Sequence, residues 1–200
     1  MQTINNTNDF KEALKDAICA GDLAFLEENR EKYSMDDRLE DENNDTLLLY
    51  SLSDANSNTY QYFLKNKADI SLLNGEGENV IHSIVYSGEA KRLNGLLNDG
   101  NINHQSKDGT TPLLLAIALE KDEIAQSLME NGADINISDN DGNAPVHIAC
   151  HLGKFYLVSK LVGKGANLRV KTKKGNFPLA LAVNGEHDEI VKFLFKKIYN

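Results

Sequence analysis

An internal repeat with a period of about 33 residues constrains this chain more than any other feature. Gly109-Thr110-Thr111-Pro112-Leu113 returns as Gly142-Asn143-Ala144-Pro145-Val146 and again, at the same interval, as Gly175-Asn176-Phe177-Pro178-Leu179. An alanine follows each proline four residues on, at Ala116, Ala149 and Ala182, and a second apolar pair comes later, at Leu128-Met129, Leu161-Val162 and Leu194-Phe195. Two units close on Asn131-Gly132-Ala133-Asp134-Ile135-Asn136 and on Lys164-Gly165-Ala166-Asn167-Leu168. Toward the N-terminus the pattern decays. Gly77-Glu78-Asn79-Val80-Ile81-His82 precedes the Gly109 unit by one position less than a full period, and Asn44-Asp45-Thr46-Leu47 precedes Gly77 by a full one. Ala17-Ile18-Cys19-Ala20-Gly21 matches Ala149-Cys150-His151-Leu152-Gly153, four periods later. A period of this length means stacked supersecondary units rather than one central core.

Within a unit the residues predict their own conformations. Thr111 reads as an N-cap and Pro112 as the first helical position. Leu113, Ala116 and Ile117 share one helix face through their i, i+3, i+4 spacing. A second helix carries Ile124, Leu128 and Met129, and Gly132 ends it where a left-handed residue is needed. Asp-Gly and Lys-Gly at 108–109, 141–142 and 174–175 supply turn chemistry. The expected unit is helix, turn, helix, projecting loop, and it buries its apolar stripe only against neighbours.

These residues resemble the ankyrin repeat, whose pattern is D-x-x-G-x-T-P-L-H-x-A, recurring with the same period and followed by a later G-A-D-V-N. T-P-L stands at Thr111 to Leu113, G-A-D-I-N at Gly132 to Asn136, and P-V-H-I-A at Pro145 to Ala149. The T-P-L-H tetrad is intact nowhere: Leu114 replaces the His, and Ala144 and Phe177 replace the Thr. The unit at Asn44 lacks both Gly and Pro. The resemblance implies an all-α ankyrin-repeat solenoid of about six stacked helix-turn-helix units, a single domain over 1–200. Its parts are an N-terminal capping unit with an acidic loop at 1–43, repeats at 44–76, 77–108, 109–141 and 142–174, and a C-terminal capping repeat at 175–200. Lys11, Glu12, Lys15 and Asp16 suit the outward side of a first cap. At the other end Phe193, Phe195, Ile198 and Tyr199 either pack inward or leave an apolar end exposed.

The composition, 41% apolar and 26% charged with a formal charge of -9, is that of an ordinary globular protein. The acidic excess argues against nucleic acid as a general partner. It is unevenly spread, however. Residues 109–141 hold seven acidic residues and one basic, while 142–174 hold seven basic and no acidic residue. That basic fifth unit leaves an anionic group or nucleic acid as an alternative partner. The run from Glu27 to Asn44 reads as a solvated loop behind a helix tail, or else as an acidic contact surface. The N-terminus has neither a basic nor an apolar leader segment. No apolar run nears the roughly 20 residues a membrane helix needs. A cytoplasmic monomer without membrane attachment is expected, with delivery into a host cell as an effector left open.

Little in the sequence suggests chemistry. His147 and His151 stand at i, i+4 and can present two ligands to one metal. No acidic residue occupies the position a zinc protease motif requires, and no third ligand is evident, so a metalloprotein is the least favoured reading. The resemblance implies loop-to-helix hydrogen bonds for His82 and His147. Cys19 and Cys150, four units apart, lie beyond disulfide reach and read as small buried hydrophobes. There is no nucleophile elbow, no phosphate loop and no dinucleotide turn. No catalytic residue, metal or cofactor is expected. Leu128, Asp134, Ile135 and Asn136 are similar to the motif that asparaginyl hydroxylases modify in animal ankyrin repeats, with a structural loop role for Asn136 the favoured reading.

What the resemblance implies is protein binding, through loop tips and the inner helix face. By position, the third unit offers Glu76, Glu78 and Tyr86. The fourth offers Lys107, Asp108 and Leu119. The fifth offers Asn140, Asp141, Asn143, His151 and Leu152, and the sixth Lys173, Lys174 and Asn176. Tyr86, Leu119, His151 and Leu152 are the expected anchors, because aromatic and apolar groups dominate interfaces. The expected function is a non-catalytic adaptor, inhibitor or scaffold.

Overall fold

The computed structural model describes residues 7–40, 42–53 and 58–199. The leader reading of the N-terminus bears in part on residues 1–6, which lie outside the described residues. These hold eleven α-helices and no strand, and a single isolated bridge joins Arg38 to Thr46. None of the helices is long and apolar enough to cross a membrane. The chain divides into two compact units, Met1–Leu96 and Leu97–Asn200.

The first unit contains α1 (Thr7–Ala20), α2 (Leu23–Glu28), α3 (Leu47–Ser53), α4 (Tyr60–Lys65) and α5 (Val80–Ser87). Helix α1 packs on α2, and α3 packs on both α4 and α5. Ile18, Leu26, Leu48, Phe63 and Ile84 lie in its core. Asn79 caps α5, its Oδ1 accepting from the N–H groups of Ile81 and His82, while His82 Nδ1 accepts from the Asn79 N–H at 3.3 Å. This reciprocal cap satisfies backbone donors that a helix start otherwise leaves unpaired.

Three features of this unit depart from the sequence expectation. In the 77–108 repeat a single 3₁₀ turn, Ala90–Leu93, replaces the second helix. Asn94-Gly95 follows it, with Gly95 at φ +78°, and both residues are poor helix formers. The acidic run 27–44 is not merely a solvated loop, because Tyr33, Met35 and Leu39 are buried and the Tyr33 hydroxyl donates to the Leu26 carbonyl at 3.0 Å. Cys19 is exposed, with its Sγ 3.4 Å from the Tyr50 hydroxyl, whereas Cys150 is buried as expected.

The second unit contains α6 (Pro112–Ala118), α7 (Asp122–Glu130), α8 (Pro145–His151), α9 (Phe155–Gly163), α10 (Pro178–Asn184) and α11 (Asp188–Tyr199). Thr111 Oγ1 accepts from the Leu114 N–H at 3.2 Å and Pro112 takes the first helical position. Leu113, Ala116, Ile117, Ile124, Leu128 and Met129 are buried, as their spacing requires. The repeated alanines have a backbone role as well. Each carbonyl of Ala116, Ala149 and Ala182 accepts the N–H five residues on, from Lys121, Lys154 and His187, at 2.8–3.0 Å. These are the closing bonds of Schellman turns.

Loops join successive repeats in register. A left-handed residue sits at each loop tip: Gly77, Gly109, Gly142 and Gly175 at φ +74° to +82°, and Asn44 at +50°. Asparagine tolerates this region better than other side chains, which is how the unit at Asn44 manages without its glycine. In the second unit the Asn140 N–H donates to Asp108 O and the Lys173 N–H to Asp141 O, both at 2.8 Å. At the opposite loops Asn103 Oδ1 accepts from the Asp134 N–H and Asn136 Oδ1 from the Asn167 N–H. Asn136 is therefore a stacking residue of the loop.

Candidate functional site

Eight of the fourteen expected contact residues fall on two clefts, one in each compact unit. In the first unit Glu78 and Tyr86 line a cleft of about 320 Å³ together with Asp45, Asn74 and Ser83. The Tyr86 hydroxyl donates to Glu78 Oε1 at 2.6 Å, and the residue stays 45% exposed. Glu76 sits at the neighbouring loop tip, its N–H held by Asn74 Oδ1 at 3.0 Å.

In the second unit six of the expected residues converge. Asp141 and Asn143 come from one loop, His151 from the end of α8, and Lys173, Lys174 and Asn176 from the next loop; all line a cleft of about 340 Å³. The buried His147 also lines it, Ile148 and Leu181 supply apolar surface from α8 and α10, and Thr172 completes the lining. Sequence reasoning missed these last three. The repeat register contained the signal for the two apolar ones: Ile148 and Leu181 are one period apart and both half-buried.

The remaining expected residues lie outside both clefts. Leu119 caps the C-terminus of α6 and is 42% exposed, while Leu152 caps that of α8 and is half-buried. Lys107, Asp108 and Asn140 are exposed on the loop tips. Two of them also brace the fold. Asp108 accepts from Ser106 Oγ at 2.6 Å and the Thr110 N–H at 3.0 Å, and these bonds hold its carboxyl below the usual carboxylate range. Asn140 Nδ2 donates to the Lys107 carbonyl at 2.9 Å. Within the cleft Asn143 is likewise tied back, to Asp139 through both its backbone N–H and Nδ2.

Charge in this unit is partly compensated. Lys154 pairs with Glu120 at 2.7 Å and lies 3.6 Å from Asp122, so the basic repeat is anchored to the acidic one before it. Hydrogen bonding to Glu120 raises the Lys154 pKa. Lys173 and Lys174 stay at the mouth of the cleft, which the Asp141 side chain also lines.

The two spaced histidines do different jobs. His147 is buried, its Nδ1 accepting from the Ala144 N–H at 3.1 Å and its Nε2 donating to the Val170 carbonyl at 3.2 Å. Those two bonds occupy both ring nitrogens and supply the helix start with the cap that Ala144 cannot. Burial lowers the His147 pKa. His151 is exposed and faces the cleft. Among the described residues no three of His, Cys, Asp and Glu converge as a metal site.

A family model described as ankyrin repeats, three copies, matches residues 47–139 and 120–200. No curated protein matches the chain significantly.

Proposed function

We propose that this chain, which belongs to the ankyrin-repeat family, is a non-catalytic protein-binding module that holds its partner at loop tips and inner helices. Protein–protein interaction is the general role of such repeats. One observation carries the assignment of the contact surface: the cleft where Ile148 and Leu181 lie beneath His151, Lys173 and Lys174. Apolar floor and charged rim together are the make-up of an interface centre, with the floor giving affinity and the charges giving orientation. The side chains stand on two helices and two hydrogen-bonded loops, so little order has to be created on binding.

The test is affinity capture with the intact chain, using His151→Ala, Lys173→Glu and Lys174→Glu together. Glu123→Lys, on the exposed side of α7, serves as the control. The expected result is one protein retained by wild type and control and lost with the triple variant. Equal retention by all three removes the cleft from the reading, and turnover of a bound small molecule removes the non-catalytic part.

A further inference from the structure

The sixth repeat leaves uncovered a face that the fifth buries. In α8, Val146, His147 and Cys150 are fully buried, and α10 packs on that helix. One period later the corresponding residues of α10 are Leu179, Ala180 and Val183, and Val183 is 53% exposed. Phe177 is 39% exposed and Tyr199 65%. With Leu168 and Ile198 these side chains line a groove of about 730 Å³. Contiguous exposed apolar surface of this kind marks an interaction site.

The groove's rim identifies the chemistry of its occupant. Arg169 and Lys171 are the charged side chains that line it, and among the described residues no carboxylate does. Lys171 Nζ sits 4.8 Å from the centroid of the Phe177 ring, which holds the cation at the apolar edge. Residues 142–200 carry ten basic and three acidic side chains. A second copy docking by two-fold symmetry would bring two such cation pairs together, an arrangement that like charge opposes. A groove flanked by helices accepts side chains spaced i, i+3, i+4 and i+7 on an amphipathic helix.

We propose that this groove docks an acidic amphipathic helix of a partner protein, its aliphatic stripe on Phe177 and Val183 and its carboxylates against Arg169 and Lys171. The site lies on the other side of α10 from the cleft of Leu181 and stands whether or not that cleft binds protein.

The probes are two fluorescein-labelled helical peptides of about 18 residues, five turns, with identical leucine stripes and either glutamate or lysine on the polar face. Anisotropy titration with the full chain is expected to give about ten-fold tighter binding of the acidic peptide, and the preference should shrink as salt rises from about 50 to 300 mM. Val183→Asp with Phe177→Ser should lose that binding about ten-fold; serine at the start of α10 is a good cap, so the helix is retained. Arg169→Glu with Lys171→Glu, both exposed, should invert the preference toward the basic peptide; they remove the Lys171–Phe177 contact but leave every apolar side chain of the groove unsubstituted. Equal binding of the two peptides, binding of neither, or no inversion would overturn the proposal. So would a dimer in light scattering that Val183→Asp dissolves, which would make a second copy the occupant. Binding of phosphatidylserine vesicles in place of the acidic peptide would overturn it in favour of a lipid surface.

Discussion

His187 fills the space that a side chain at Gly153 would need. Its Nε2 donates to the His151 carbonyl at 3.0 Å, and a Cβ at Gly153 would come 2.5 Å from its Cε1. Gly153 also has φ +72°, a conformation unfavourable to any side chain. Gly153→Ala should therefore destabilise the second unit by about 2–3 kcal/mol, the left-handed penalty plus displacement of the ring. Adding His187→Ala should return the steric share and leave the backbone share. Thermal unfolding of the single and double variants separates the two; coincident melts for Gly153→Ala and wild type would show that the ring does not constrain this turn.

Two positions should improve with glycine. Glu186 has φ +57° where earlier repeats place Gly153 and Gly88, and Lys67 has φ +63° where later ones place Gly132 and Gly165. Neither side chain is buried. Each pays the left-handed cost that glycine avoids, partly offset by glycine's greater freedom when unfolded. Glu186→Gly and Lys67→Gly should each add up to about 1 kcal/mol, or about 4–8 °C for a unit of this size. A lower melting temperature for either would mean that its side chain contributes more than its backbone costs.

Acid should weaken the second unit through His147. Burial lowers its pKa in the folded chain, so the unfolded state takes up the proton first. The associated stability is complete above the ordinary histidine value near 6.5 and is lost as pH falls through that value toward the lower folded one. The loss is at most about 1.4 kcal/mol for each pH unit in that window. His147→Gln removes the titration. Denaturant titrations of wild type and variant should differ most at neutral pH and approach one another toward pH 5, whereas a constant gap would assign the acid sensitivity to other groups.

The two thiols should differ sharply in reactivity. Cys19 is exposed, and burial pushes the Cys150 thiol up to about 12. The thiolate is the reactive form. Ellman's reagent should therefore modify one cysteine in the native chain and the second only on unfolding. Cys19→Ser should abolish the native phase.

The parts legible in the sequence were those with local causes. Thr111 and Pro112 start a helix through their own chemistry, and Gly132 ends one through its own freedom. The repeat register then placed Ile124, Leu128 and Met129 in the core. The parts that were not legible depend on neighbours. Tyr33 and Leu39 lie in a stretch whose charge suggested solvent, and only the repeat beside them makes it an interior. The candidate cleft was half legible: its polar rim follows from loop position, but Ile148 is neither fully buried nor fully exposed, and its role depends on Leu181 one repeat away. Val183 sits at a buried position of the repeat pattern and is uncovered because no further helix pair packs on it among the described residues.

The loop bonds have a mechanical consequence. Asn136 ties its repeat to the next through Asn167, and Asn103 ties its own through Asp134. Each of these ties joins immediate neighbours, so tension applied to the ends of the second unit loads the junctions in series. When one yields, the others keep their geometry. Stretched in an optical trap, the unit should give way in steps, each freed repeat adding roughly 110–120 Å of chain.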